Sequence, residues 1–133
     1  MEQLLKQIML IDDNEIDNLV STRMLNIHCF TKNILATISA ESALVHLNEL
    51  IKRGDGLPDL ILLDLNMDIH SGYFFLERFK SFDPSVREKC KIVVLSSSHK
   101  EEDFNRIASE PLVLRYFKKP LSKNAIDELK TLL

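Results

Sequence analysis

Asp12-Asp13, Asp64, Ser96 and Lys119 are far apart in the chain, yet each stands where a short apolar run stops. Brought together, they would make a site with a definite chemistry. Two unit charges about 4 Å apart repel by ~4 kcal/mol at the effective dielectric near a protein surface, so three clustered carboxylates need a cation to offset them. Carboxylates with a backbone carbonyl and water are hard oxygen donors that suit magnesium or manganese, and the chain offers no His or Cys cluster to suit zinc. A carboxylate nucleophile beside such a cation, an ammonium and a hydroxyl fits phosphoryl transfer, which depends on positioning and charge neutralisation. The carboxylate would carry the phosphoryl group on its own oxygen.

The elements that must position these groups can be read from the same runs. Leu60-Ile61-Leu62-Leu63, ending at Asp64, has no polar alternation, which is the pattern of a strand buried on both faces. Ile8 to Ile11 and Ile92 to Leu95 have the same character and run into Asp12-Asp13 and Ser96, and a further apolar run, Leu112-Val113-Leu114 through Tyr116-Phe117, leads to Lys118-Lys119. If these strands are parallel neighbours, their carboxyl ends share one crevice, where open parallel sheets bind ligands. A fifth strand, from Phe30 to Ile38, is more mixed in polarity and suits an edge.

Helical spacing fills the gaps between strands. Ile16, Leu19, Val20 and Met24 form one stripe on a helix starting near Asn14. A second helix capped by Ser39 uses Ala40, Ala43, Leu44, Leu47, Leu50 and Ile51, and a third carries Phe74, Phe75, Leu76 and Phe79 and stops before Asp83-Pro84. The fourth has capping-box spacing from Ser98 to Glu101 and buries Phe104, Ile107 and Ala108; the fifth is capped by Ser122 and uses Ile126, Leu129 and Leu133. Five strands alternating with five helices predict an α/β protein with a doubly wound parallel sheet.

At 133 residues the chain reads as one domain, able to bury roughly two thirds of its unfolded surface. The 45% apolar and 28% charged composition is that of a globular protein, and a net charge of −3 gives no reason to expect nucleic acid or a membrane surface. Met1 to Lys6 lacks the apolar core of a signal peptide and no stretch approaches transmembrane length, so a cytoplasmic location is expected. Cys29 and Cys90 stand far apart without a Cys-x-x-Cys pair and are expected to be reduced and buried; His28, His46, His70 and His99 are expected at the surface.

Asp12-Asp13 after the first strand, Asp64 after the third, Ser96 after the fourth and Lys119-Pro120 after the fifth resemble the receiver domain of two-component response regulators over nearly the whole chain. The resemblance is to single-domain receivers of the chemotaxis-regulator type, with a flavodoxin-like fold and no output domain. It implies that Asp64 accepts a phosphoryl group from a histidine kinase or phosphotransfer protein. Asp12, Asp13, Asp64 and the backbone carbonyl of Asn66 would hold magnesium, and Ser96 and Lys119 would take the phosphoryl oxygens. It further implies that Ser96 and Tyr116 act as a switch, remodelling the face of the fourth helix, fifth strand and fifth helix for a downstream protein. A cis Lys119–Pro120 bond and a monomer or weak dimer are expected.

The chain departs from the family where Asp68 replaces the usual proline after Met67, which removes a rigid φ and adds a charge near the site. Gly72 matches the loop glycine, with a positive φ as the expected reason. A dehalogenase-type phosphatase would need a second Asp two places after the nucleophile, where Asn66 stands. Nucleotide or flavin binding lacks its glycine-rich cradle, the chain having three glycines in all. A phosphorylation-independent interaction module on the same fold is the remaining alternative.

Overall fold

The continuous apolar runs become the central strands of one sheet. A computed structural model describes residues 7–28, 31, 33–97 and 100–133. Within these, β1 (Ile8–Ile11), β2 (Ile34–Thr37), β3 (Leu60–Leu63), β4 (Lys91–Ser96) and β5 (Val113–Lys118) pair in parallel in the order β2-β1-β3-β4-β5. Alternate residues of each strand point to opposite faces, so every central strand serves two cores. Met9, Ile11, Ile61, Leu63, Ile92 and Val94 form one with α2 (Ala40–Arg53) and α3 (Gly72–Phe79). Ile8, Leu10, Leu60, Leu62, Val93 and Leu95 form the other, covered by Leu25 of α1 (Glu15–Ile27) and by Ala125, Ile126 and Leu129 of α6 (Lys123–Leu132). This is the doubly wound arrangement that the strand and helix patterns predict and the flavodoxin-like fold that the resemblance implies.

The described residues hold six helices rather than five, the extra one being α4 (Pro84–Lys89) between α3 and β4. Asp83-Pro84 reads as a stop after α3, but it also starts a helix: the Asp83 carboxylate accepts the Ser85 N–H at 3.0 Å and Pro84 takes the first position. Only Val86 of the six residues is buried, too little to show a period. Ser39 and Ser122 cap their helices as expected, through the N–H groups of Ser42 and Ala125. For α5 (Glu101–Ala108), Lys100 holds the N-cap position without a side-chain capping bond, so Glu101 is the first helical residue and not the fourth member of a capping box; Ser98 and His99 lie outside the described residues. Phe104, expected in its buried stripe, is exposed.

The edge strands are as weakly apolar as their sequences. β2 begins at Ile34, later than expected, with Phe30 and Cys29 outside the described residues, whereas Cys90 is a buried free thiol. In β5 a bulge leaves Leu114 unpaired as the partner of Val93 becomes Arg115.

One helix is turned the opposite way to its apolar pattern. Ile16, Leu19 and Ile27 are 70%, 62% and 61% exposed and Val20 is also exposed, while the line Asn18, Ser21, Leu25 faces the sheet. Met24 alone of the expected stripe packs against the core. The reason is polar: the Asn18 amide donates to the Asp12 carbonyl at 2.9 Å and the Thr37 carbonyl at 3.4 Å, tying α1 to the ends of β1 and β2.

Candidate functional site

The strand order reverses between β1 and β3, since β2 lies on one side of this pair and β4 and β5 on the other. Loops diverge at such a point and leave a crevice beyond the carboxyl ends. Ile11 pairs with Leu63 and the Asp64 N–H donates to the Ile11 carbonyl at 2.9 Å, so Asp12 and Asp64 emerge side by side. Carboxylate oxygens of Asp12, Asp13 and Asp64 lie within 4.8 Å of one another. Asp12 and Asp64 are only 7% and 4% exposed, whereas Asp13 is on the surface.

From the other side of the crevice, the Lys119 N–H donates to the Ser96 carbonyl at 2.9 Å, which fixes the loop after β5 against the end of β4. Its Nζ donates to Asp12 Oδ2 at 2.6 Å and Asp17 Oδ2 at 2.7 Å, and lies 3.6 Å from Asp64 Oδ2. The Lys119–Pro120 bond is cis. Ser96 is fully buried, and its Oγ accepts the Asn66 amide at 3.3 Å while the Asn66 N–H donates to Asp64 Oδ1 at 3.3 Å. The structure thus gathers Asp12, Asp13, Asp64, Asn66, Ser96 and Lys119. Tyr116 stands apart on β5, half-buried, with its ring edge-on to Phe104 at 5.6 Å between centroids.

Burial pushes the Asp64 carboxyl up to about 6; Lys119 opposes this and the charge of Asp12 adds to it. Burial works against the Lys119 ammonium, but hydrogen bonds to Asp12 and Asp17 and the charge of Asp64 outweigh it and hold its pKa above the usual lysine value. One ammonium therefore serves a surplus of acids, and a buried carboxylate that resists ionisation gains from a nearby cation. With oxygen donors only, this set fits magnesium or manganese and not a thiolate-seeking metal.

Three residues of the segment after β3 behave differently from expectation. Gly72 opens α3 without a positive φ; Gly54 and Gly56 are the glycines at φ 81°. A Cβ at Gly72 would sit 2.6 Å from the Asp64 carbonyl oxygen and 2.9 Å from Leu65 Cα, so close backbone approach is what excludes a side chain. Asp68 does not leave its loop untethered: its N–H donates to Asp13 Oδ2 at 2.9 Å, a bond that proline could not make. His70 is half-buried, its ring stacked 4.0 Å from that of Phe74, rather than a free surface group.

Asp17 and Asn18 were not marked by any strand end. The usable signal is position: Asp17 lies in the first turn of the helix that follows directly on the acid pair. Asn18 is one of several polar residues of α1, and nothing in its type marks it as the one that faces the sheet.

Comparison with known proteins agrees with this geometry. The sequence matches the response regulator receiver domain over residues 8–130. No curated protein sequence matches it. Among solved structures it is similar to a two-component response regulator from Cytophaga hutchinsonii, at 28% identity and a TM-score of 0.89 over 98% of this chain and 96% of that one. It is also similar to the phosphorylated cyanobacterial phytochrome response regulator RcpA, at 28% identity and a TM-score of 0.73, and to the Mn(2+)-bound form of response regulator Rcp1, at 28% identity and a TM-score of 0.69. Each of these two alignments covers 96% of this chain and 88% of the other. With strand order, crevice and sequence in accord, the chain belongs to the response regulator receiver domain family.

Proposed function

We propose that this receiver is phosphorylated on Asp64 by a histidine kinase or phosphotransfer protein and passes the signal on by protein contact. The observation that carries this reading is the convergence of Asp12, Asp13 and Asp64 on one crevice with Lys119 3.6 Å from the Asp64 carboxylate. An Asp64 oxygen attacks the phosphorus, the bond from phosphorus to the donor nitrogen breaks, and the donor regains a neutral imidazole. Lys119 and Ser96 bind the phosphoryl oxygens, replacing solvent with fixed donors. Asp12, Asp13, Asp64 and the Asn66 carbonyl would hold magnesium or manganese, which when bound would neutralise charge on the transferring group. The Asn66 amide, donating to Ser96 Oγ at 3.3 Å, must give up that hydroxyl when Ser96 turns to the phosphoryl group.

Output runs through Tyr116, whose contact with Phe104 joins β5 to α5, so the face of α5, β5 and α6 binds a downstream protein differently in the two states. The exposed Ile16, Leu19 and Val20 lie on the first turns of α1, the same turns that bring Asp17 to Lys119. They give a phosphodonor protein an apolar surface beside the crevice. The protein works in the cytoplasm as a monomer or weak dimer.

Incubation with acetyl phosphate and magnesium, followed by intact-mass measurement, tests the reading. A single phosphoryl adduct that Asp64→Asn abolishes is expected. No adduct, or one that persists in Asp64→Asn, would remove it.

A further inference from the structure

An ammonium has three N–H donors, and in Lys119 two of them are engaged by carboxylates other than Asp64. The Asp12 bond belongs to the acid cluster. The Asp17 bond does not: Asp17 is outside the set proposed to hold the cation or the phosphoryl group. Its Oδ2 is 2.7 Å from Lys119 Nζ, whereas Asp64 Oδ2 is 3.6 Å away, beyond hydrogen-bonding distance.

The local structure makes this placement specific. Asn14 Oδ1 accepts the Asp17 N–H at 2.9 Å, which sets the first turn of α1, and Asn18 ties the next residue to the ends of β1 and β2. An acid in the first turn is favoured by the helix dipole, which accounts for a carboxylate here. The dipole does not account for its bond to a lysine 102 positions away in the chain. The lysine side chain is 11% exposed and that of Asp17 38%, so the pair is shielded from solvent on the lysine side and open to it at the carboxylate.

We propose that Asp17 is a positioning residue that holds the Lys119 ammonium short of Asp64, so that Lys119 must draw away from Asp17 to reach a phosphoryl oxygen there and Asp17 thereby sets the affinity of the site for that group. The inference rests on Asp64 being the phosphoryl acceptor and adds a competitor to its machinery. Asparagine at 17 keeps the shape and removes the charge that competes; glutamate keeps the charge.

The full chain is titrated with beryllium fluoride, a phosphoryl mimic, at saturating magnesium, with binding read from backbone amide resonances. Charge-assisted hydrogen bonds exceed neutral ones by about 1 kcal/mol, so Asp17→Asn is expected to bind about fivefold more tightly than wild type, with Asp17→Glu close to wild type. Asp17→Asn is likewise expected to speed phosphorylation by acetyl phosphate, and to bring no gain when added to Lys119→Met. In the metal-free protein the Lys119 ammonium resonance moves on Asp17→Asn while the amides of β1 and β3 stay in place. Equal or weaker binding by Asp17→Asn, the same gain in the Lys119→Met background, or an unmoved ammonium resonance overturns the role of Asp17 and leaves Asp64 as the acceptor. Wild-type protein that binds no beryllium fluoride overturns the acceptor reading and this inference with it.

Discussion

Helices α1 and α2 flank the same two strands, and they use their apolar residues in opposite ways. In α2, Ala40, Ala43, Leu47 and Leu50 line the sheet and the polar residues face out. In α1, Ile16, Leu19, Val20 and Ile27 face out, and Asn18 and Ser21 face in beside Met24 and Leu25. The difference follows from what each helix must hold. α2 closes a hydrophobic core, whereas the inner side of α1 fastens the carbonyls of Asp12 and Thr37 and aims Asp17 at Lys119.

The largest effect that would sharpen this contrast is on stability. Leu47→Ala removes a fully buried side chain and is expected to cost about 2–5 kcal/mol in urea unfolding, while Leu19→Ala stays within about 0.5 kcal/mol. Equal costs would mean that α1 buries its apolar stripe after all. Next, Asn18→Ala takes the amide from the Asp12 carbonyl, while the Thr37 carbonyl keeps the Asp12 N–H at 3.1 Å, and is expected to cost about 1–3 kcal/mol, more than any of the exposed leucine or isoleucine positions of α1.

A third expectation concerns pH. The folded pKa of Asp64, about 6, lies above its unfolded value of 3.8, so the folded state holds a proton that the unfolded state has released. Its contribution to stability is fully present below the unfolded pKa and is lost as pH rises through the folded one. Metal-free wild type is therefore expected to lose stability relative to Asp64→Asn between about pH 4 and pH 6, with a constant difference above that range. Thermal melts across this range check it, and a difference that shrinks with rising pH would contradict the role of burial at Asp64. The smallest effect is at the loop: Asp68→Pro loses the N–H bonded to Asp13 and should weaken magnesium binding about twofold to fivefold by titration, as one hydrogen bond of about 0.5–1 kcal/mol would allow.

Much of this arrangement was legible in the sequence because the central strands announce themselves. Unbroken runs such as Leu60 to Leu63 can only be buried on both faces, and each ends at the residue that enters the crevice. What periodicity could not report is direction: Ile16, Leu19 and Val20 have proper helical spacing whether they face the sheet or solvent. Nor could a residue type reveal its reason. Gly72 is glycine because the Asp64 carbonyl presses on it, and Asp68 is useful for its backbone N–H as much as for its charge. Asp17 escaped notice because its partner is distant in sequence, and only the fold brings Lys119 beside it.

The most direct measurement of the central claim locates the phosphoryl group chemically. Protein treated with acetyl phosphate and magnesium is reduced with borohydride, which converts an aspartyl phosphate to homoserine, and its peptides are sequenced by mass spectrometry. Homoserine at position 64, absent without magnesium, is the predicted result. Conversion at another residue, or none anywhere in wild type, would contradict it.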